Sequence, residues 1–171
     1  MGSYDAGKRT VCDWIRANFE KNINILDVGV SDGKWRTLLS DYPNIDGVEI
    51  FEPYARNVSG MYRDIFIADI KDFKYDWYDL VIFGDVIEHM HVEDAQKTLE
   101  YAKSRCRDMI VAVPFLYVQG EVNGNVHEIH IQWDLTREIF ARRYPDFKVL
   151  YDAAENYCYY HWSPELPGIE S

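Results

Sequence analysis

The segment Ile25-Leu26-Asp27-Val28-Gly29-Val30-Ser31-Asp32-Gly33 constrains the fold more than any other part of this chain. A short apolar run ends in a turn carrying two glycines, and helical spacing resumes at Trp35, Leu38 and Leu39. That is the pattern of strand, tight turn and helix, with glycines where the backbone must approach something closely. Open α/β sheets bind their ligands at that place, the carboxyl end of the first strand.

The same alternation continues along the chain. Over residues 8–20 the apolar positions Val11, Trp14, Ile15 and Phe19 fall on one helical face. After the first strand, residues 23–28, further strands are expected over 44–50, 65–68, 80–83 and 109–115. Helices are expected near 53–58, 92–106 and 136–144. The pair 147–151 and 157–162 has no helix between its members, which predicts a terminal hairpin around Glu155-Asn156. The expected fold class is therefore α/β, a Rossmann-like seven-stranded, mostly parallel sheet with helices on both faces and a C-terminal antiparallel hairpin. With 171 residues, 47% of them hydrophobic, a single domain over 1–171 accounts for the length and has enough apolar material for a core.

Charge and cysteine usage exclude several classes of partner. The 29 acidic residues outnumber 18 basic ones, for a net charge of -11, and such a chain repels a phosphate backbone. No nucleic-acid partner is expected. Cys12, Cys106 and Cys158 are odd in number and form no CxxC, so they read as free thiols in a reducing compartment. There is no apolar leader, and no stretch nears the roughly 18 apolar residues of a membrane span. The expectation is a cytoplasmic protein with no membrane partner.

The glycine turn is not a dinucleotide site, because G-x-G-x-x-G begun at Gly29 needs glycine where Ser31 and Lys34 stand. Charge points the same way. Asp27, Glu49, Asp69 and Asp85 close four successive strands, and acids lining one rim would repel a pyrophosphate. They suit a ligand with a sulfonium, an ammonium and a ribose diol. Glu49, in Gly47-Val48-Glu49-Ile50 and twenty residues beyond Gly29, stands where an acid accepts both ribose hydroxyls.

The turn resembles motif I of the class I S-adenosylmethionine-dependent methyltransferases, [DE]-x-G-x-G-x-G, matching at Asp27, Gly29 and Gly33 and departing at Ser31. Phe83-Gly84-Asp85-Val86-Ile87-Glu88-His89 resembles the strand-four segment of the quinone-biosynthesis-like, small-molecule branch. His127-Glu128-Ile129-His130-Ile131-Gln132-Trp133 is similar to its post-strand-five region, where histidines approach the acceptor. The resemblance covers most of the chain. It implies S-adenosyl-L-methionine as cofactor and S-adenosyl-L-homocysteine as product. Gly29 and the Gly84 backbone would line the methionine portion, Asp69 would meet the adenine amino group, and Ile50 would pack on the adenine ring. Asp27, Gly33, Ile70 and Asp85 complete the expected cofactor set.

Methyl transfer needs alignment and one base, and His89, His127 and His130 are the candidates. In an extended segment His127 and His130 would face opposite sides. The spacing is not HExxH, since the second histidine comes one residue early. A helix beginning at Asp85 would put Asp85, Glu88 and His89 on one face. Some relatives bind a divalent metal through a comparable set, but acids in a first helical turn are equally what the helix dipole favours, and no metal is expected. The [DN]-P-P-[YFW] sequence in which nucleic-acid amino methyltransferases resemble one another is missing at strand four. The expected acceptor is a small molecule, a sugar or phenol methylated on oxygen. A catalytically inactive module and a protein acceptor stay open as alternatives. The lack of a cap domain leaves room for a homodimer.

Overall fold

Strands β1 (Ile25–Val28) and β2 (Ile45–Glu49) are buried along their whole length. The same holds for nearly all of β4 (Tyr78–Gly84) and most of β5 (Cys106–Pro114). Strands covered on both faces need no polar alternation, which is why they read as continuous apolar runs. In the computed structural model, which describes residues 7–164, they join β3 (Ile65–Ile67), β6 (Lys148–Ala154) and β7 (Tyr157–Trp162) in one sheet. Its order is β3-β2-β1-β4-β5-β7-β6. The first five strands run parallel, and β7 lies antiparallel between β5 and β6.

Alternation along each strand divides the core in two. Ile25, Leu80, Ile82 and Ile110 face the layer of α1 (Lys8–Asn18), α2 (Lys34–Leu38) and α3 (Glu52–Val58), which contributes Val11, Ile15, Trp35 and Val58. Leu26, Val81, Phe83 and Val111 face α4 (Val92–Lys103) and α5 (Arg137–Arg143), which contribute Leu99 and Phe140. Phe140 stacks on Tyr160 of β7 with ring centroids 3.7 Å apart.

The expected seven strands and terminal hairpin are present, and the differences lie at the ends of elements. β4 starts at Tyr78 because its amide donates to Arg105 O (3.0 Å) and its hydroxyl to Asp46 (2.8 Å). β6 extends to Ala154, with irregular register between Val149 and Tyr151 and between Asp152 and Ala154. Such irregularities blunt an exposed edge strand. The three cysteines are buried free thiols, and burial pushes Cys12 up to about 12, which makes it inert. No helix among the described residues is long and apolar enough to cross a membrane. Strand order reverses between β1 and β4, so a crevice opens at their carboxyl ends.

Candidate functional site

A cleft of about 430 Å³ occupies that crevice. Gly29, Glu49, Ile50, Asp69, Ile70, Gly84 and Asp85 line it from the ends of the strands, and His89, His127 and His130 line it from the loops beyond.

Its first wall is a single knot. Gly29, at φ 72, donates its amide to Val48 O (2.8 Å), and a Cβ there would stand 2.7 Å from Val86 Cγ2. Ser31 holds φ 46, the left-handed region that costs an L residue about 1 kcal/mol. The Ser31 amide donates to Glu49 Oε2 (3.1 Å), and the Phe51 amide donates to Oε1 (2.9 Å). Ser31 thus takes a backbone conformation that glycine would adopt freely, and Glu49 ties the β1 turn to the end of β2. Burial raises the Glu49 pKa, and the Phe51 and Ser31 amides oppose the rise. Each oxygen accepts one backbone bond and keeps capacity for another donor.

Asp27 and Gly33, expected in the lining, lie outside it. Strand parity turns Asp27 away from Leu26 and Val28 toward the α1–α3 layer, where it is 1% exposed and accepts a 2.6 Å bond from the Tyr62 hydroxyl. Gly33 sits behind the turn at φ 74, donating its amide to Val30 O (2.8 Å). The rim at the strand ends is therefore made by three acids, Glu49, Asp69 and Asp85. Glu88, Asp94 and Glu128 add to them, and among the described residues Lys71 is the only lysine or arginine in the lining. Lys71 lies 3.6 Å from Asp69 and 4.0 Å from Asp94, so the cleft is strongly negative.

Burial pushes Asp27 up to about 7, despite the Tyr62 bond that opposes the shift. A carboxyl raised in the folded state contributes stability below its unfolded pKa and loses it as pH rises through the folded one. Asp27→Asn, which cannot ionise, is therefore expected to gain on the wild type by about 2 kcal/mol between pH 5 and pH 8. Denaturant unfolding at the two pH values measures it. A constant difference between the proteins would show that Asp27 does not titrate in this window.

A helix beginning at Asp85, which would have put Asp85, Glu88 and His89 on one face, does not form. A single 3-10 turn, Ile87–His89, takes its place, and Asp85 precedes it at φ 57 with Oδ1 accepting the Tyr157 hydroxyl (2.7 Å). Asp85, Glu88 and His89 consequently share no helical face. Gly84 is required by packing, since a Cβ there would come within 2.3 Å of Trp35 Nε1.

The structure brings two of the candidate histidines together. His89 Nδ1 donates to Ile129 O (3.2 Å), His130 Nδ1 donates to Tyr117 O (2.8 Å), and the rings meet edge to face at 4.8 Å. Burial lowers both pKa values, so both rings are neutral near pH 7 with Nε2 as the basic nitrogen. His127 lies on a second 3-10 turn, Val126–Glu128, whose start is capped by Asn125 Oδ1 accepting the His127 amide (3.0 Å). Because the segment turns rather than extends, His127 and His130 line the same cleft, contrary to the expectation of opposite sides. His161 lies outside the lining and pairs with Asp108 at 2.7 Å.

Gln132 falls in the tract that resembles the post-strand-five region, but reading the chain for chemistry gave it no role. Its amide donates to Ile87 O (2.8 Å) and Met90 O (3.1 Å), while its oxygen accepts from Tyr144 (2.9 Å) and Arg143 (3.2 Å). The Ile131 and Gln132 amides both donate to Glu88 O at 2.9 Å. These bonds clamp the turn bearing Glu88 and His89 to the loop bearing His130. Tyr157, at the start of β7, also lines the cleft.

No family model matches the chain, and no curated protein matches it in sequence. Solved structures do match. Magnesium protoporphyrin IX methyltransferase from Synechocystis PCC 6803, with S-adenosylhomocysteine bound, superposes with a TM-score of 0.67 at 13% identity, covering 90% of this chain and 80% of that one. An S-adenosylmethionine-dependent methyltransferase from Clostridium acetobutylicum gives 0.68 at 11% identity, covering 92% and 91%. The Burkholderia thailandensis 1,6-didemethyltoxoflavin-N1-methyltransferase, with 1,6-didemethyltoxoflavin and S-adenosylhomocysteine bound, gives 0.65 at 13%, covering 91% and 77%. At these identities the likeness is one of architecture: this chain has the fold on which those S-adenosylmethionine-dependent methyltransferases are built.

Proposed function

We propose that the protein is an S-adenosyl-L-methionine-dependent methyltransferase acting on a small molecule, with an oxygen of a sugar or phenol as the acceptor atom. The observation that carries this reading is the acidic cleft at the strand-order reversal, with Glu49 buried and tied to the glycine turn. A negative lining favours a cationic nucleoside over a phosphorylated one. The superposed enzymes support the class of ligand, since two were solved with S-adenosylhomocysteine, and one of those also with a small acceptor.

When bound, the cofactor supplies a methyl group on a sulfonium, already a good leaving group. Glu49 would accept the ribose hydroxyls, Asp69 and Ile70 would hold the adenine with Ile50 against the ring, and the backbone at Gly29 and Gly84 would receive the methionine end beside Asp85. His89 and His130 serve the acceptor end. Each keeps Nε2 unprotonated because its Nδ1 hydrogen is held by a carbonyl, so either takes the acceptor's proton as the methyl group arrives.

Isothermal titration of the folded protein with S-adenosylhomocysteine tests the reading, with NAD as the contrasting nucleoside. Saturable binding of the first and none of the second is expected. No binding of S-adenosylhomocysteine would overturn it. Transfer of labelled methyl groups to components of a metabolite extract then separates an enzyme from an inactive module.

A further inference from the structure

We infer that the lobe after β5, residues 115–133, is the surface through which two copies of this chain form a symmetric dimer beside the cleft. Seven of the twelve large apolar side chains that stay exposed among the described residues lie in this one stretch, at 40% to 76% exposure. Five of them, Leu116, Val118, Val126, Ile129 and Trp133, stand outside the cleft lining, while Tyr117 and Ile131 belong to it. The inference does not depend on the proposed activity.

The lobe is tied down by its own hydrogen bonds. The Leu116 amide donates to Leu135 O (2.9 Å), the His130 amide to Gln119 O (3.0 Å) and the Gln119 side-chain amide to Glu128 O (2.8 Å). The rings of Tyr117 and His130 meet at 5.3 Å in the cleft lining, and their neighbours Leu116, Val118 and Ile129 are left in water. Leu116 stands there at φ 48, a strained conformation for a leucine. A surface ordered before contact loses little freedom on docking, and apolar side chains held in water by such a frame are stabilised when a partner covers them.

Area and charge select a second copy as that partner. At roughly 150–250 Å² for a fully exposed side chain of these types, the seven present about 700 Å² per chain. That is close to the ~800 Å² each partner buries in a stable complex. Residues 115–133 include no lysine or arginine and only two acids, Glu121 and Glu128, in a chain of net charge -11. Two such chains repel each other over most of their surfaces, so contact between them must use a stretch that carries little charge. The same net charge opposes an anionic membrane or a nucleic acid. A twofold contact needs only one surface that fits itself, and twofold dimers are the commonest assemblies. Because Tyr117, His127 and His130 lie on this lobe, the contact narrows the acceptor end of each cleft.

Sedimentation velocity of the full chain over about 1–200 µM tests the contact, and a dimer with a dissociation constant of about 1 µM or tighter is expected. It should tighten as salt rises, since salt screens the repulsion between two acidic chains. Val118→Glu and Trp133→Glu each place a new carboxylate in the contact and should weaken it by at least about a hundredfold. Val149→Glu, at an exposed position on β6, should leave it unchanged. A wild type that stays monomeric over the whole range would overturn the inference, and flotation of that monomer on neutral phosphatidylcholine vesicles would assign the lobe to a membrane instead. A dimer that Val149→Glu breaks and Trp133→Glu leaves intact would overturn it as well, placing the contact at the sheet edge. Circular dichroism shows whether a loss reflects misfolding. Titration with S-adenosylhomocysteine reads the methyltransferase proposal separately, and affinity within a few-fold of wild type is expected because Val118 and Trp133 lie outside the lining.

Discussion

Glu49→Ala is expected to weaken S-adenosylhomocysteine binding by at least about a hundredfold, which is about 2.7 kcal/mol. A buried carboxylate accepting two ribose hydroxyls makes two charge-assisted bonds, each worth about 1.5–3 kcal/mol. The substitution also frees the Ser31 and Phe51 amides, so the turn at Gly29 loses the anchor that holds it against the end of β2. Glu49→Gln keeps one acceptor oxygen and should fall between the two, near tenfold. Calorimetry on variants with wild-type circular dichroism measures both effects. Wild-type affinity in folded Glu49→Ala would place the ribose elsewhere and remove the main support for the proposed cofactor.

The second large effect should come from Gln132→Leu, and it should fall on stability rather than on the cofactor. Leucine matches the volume but strips donors from Ile87 O and Met90 O, and an acceptor from the Tyr144 hydroxyl. Buried groups left unpaired cost about 1–3 kcal/mol each, so a loss of roughly 3 kcal/mol follows even with partial relaxation. For a chain of this size that lowers Tm by about 10 °C. Affinity for S-adenosylhomocysteine should stay within a few-fold of wild type, because Gln132 lies outside the cleft lining. Turnover should fall, because the turn carrying His89 is no longer clamped. A Tm shift below about 2 °C would mean that water or neighbouring groups replace these bonds.

The two predictions separate what was legible in the sequence from what was not. Glu49 could be chosen from its place at the end of the second strand and its distance from Gly29, both set by local periodicity and turn chemistry. Asp27, by contrast, was expected on the rim both from its place at the end of the first strand and from the resemblance to motif I, and the structure buries it beneath the turn. Knowing that β1 alternates does not say which of its faces opens to the cleft. That was decided by Tyr62, 35 residues away, whose hydroxyl binds the carboxylate. The conformation at Asp85 is equally non-local: this residue is left-handed, accepts the hydroxyl of Tyr157, 72 residues on, and is followed by a single 3-10 turn.

Apolar period, glycine and acid at successive strand ends are short-range properties, and from them the sequence by itself determined the sheet, its hairpin and the acidic rim. The meeting of His89 with His130, the burial of Glu88 and the clamp at Gln132 were decided only by the tertiary structure. They join groups on separate loops, and loops carry no repeating pattern that announces their partners. Their geometry follows from which buried donors and acceptors must be satisfied once the sheet has brought the ends together.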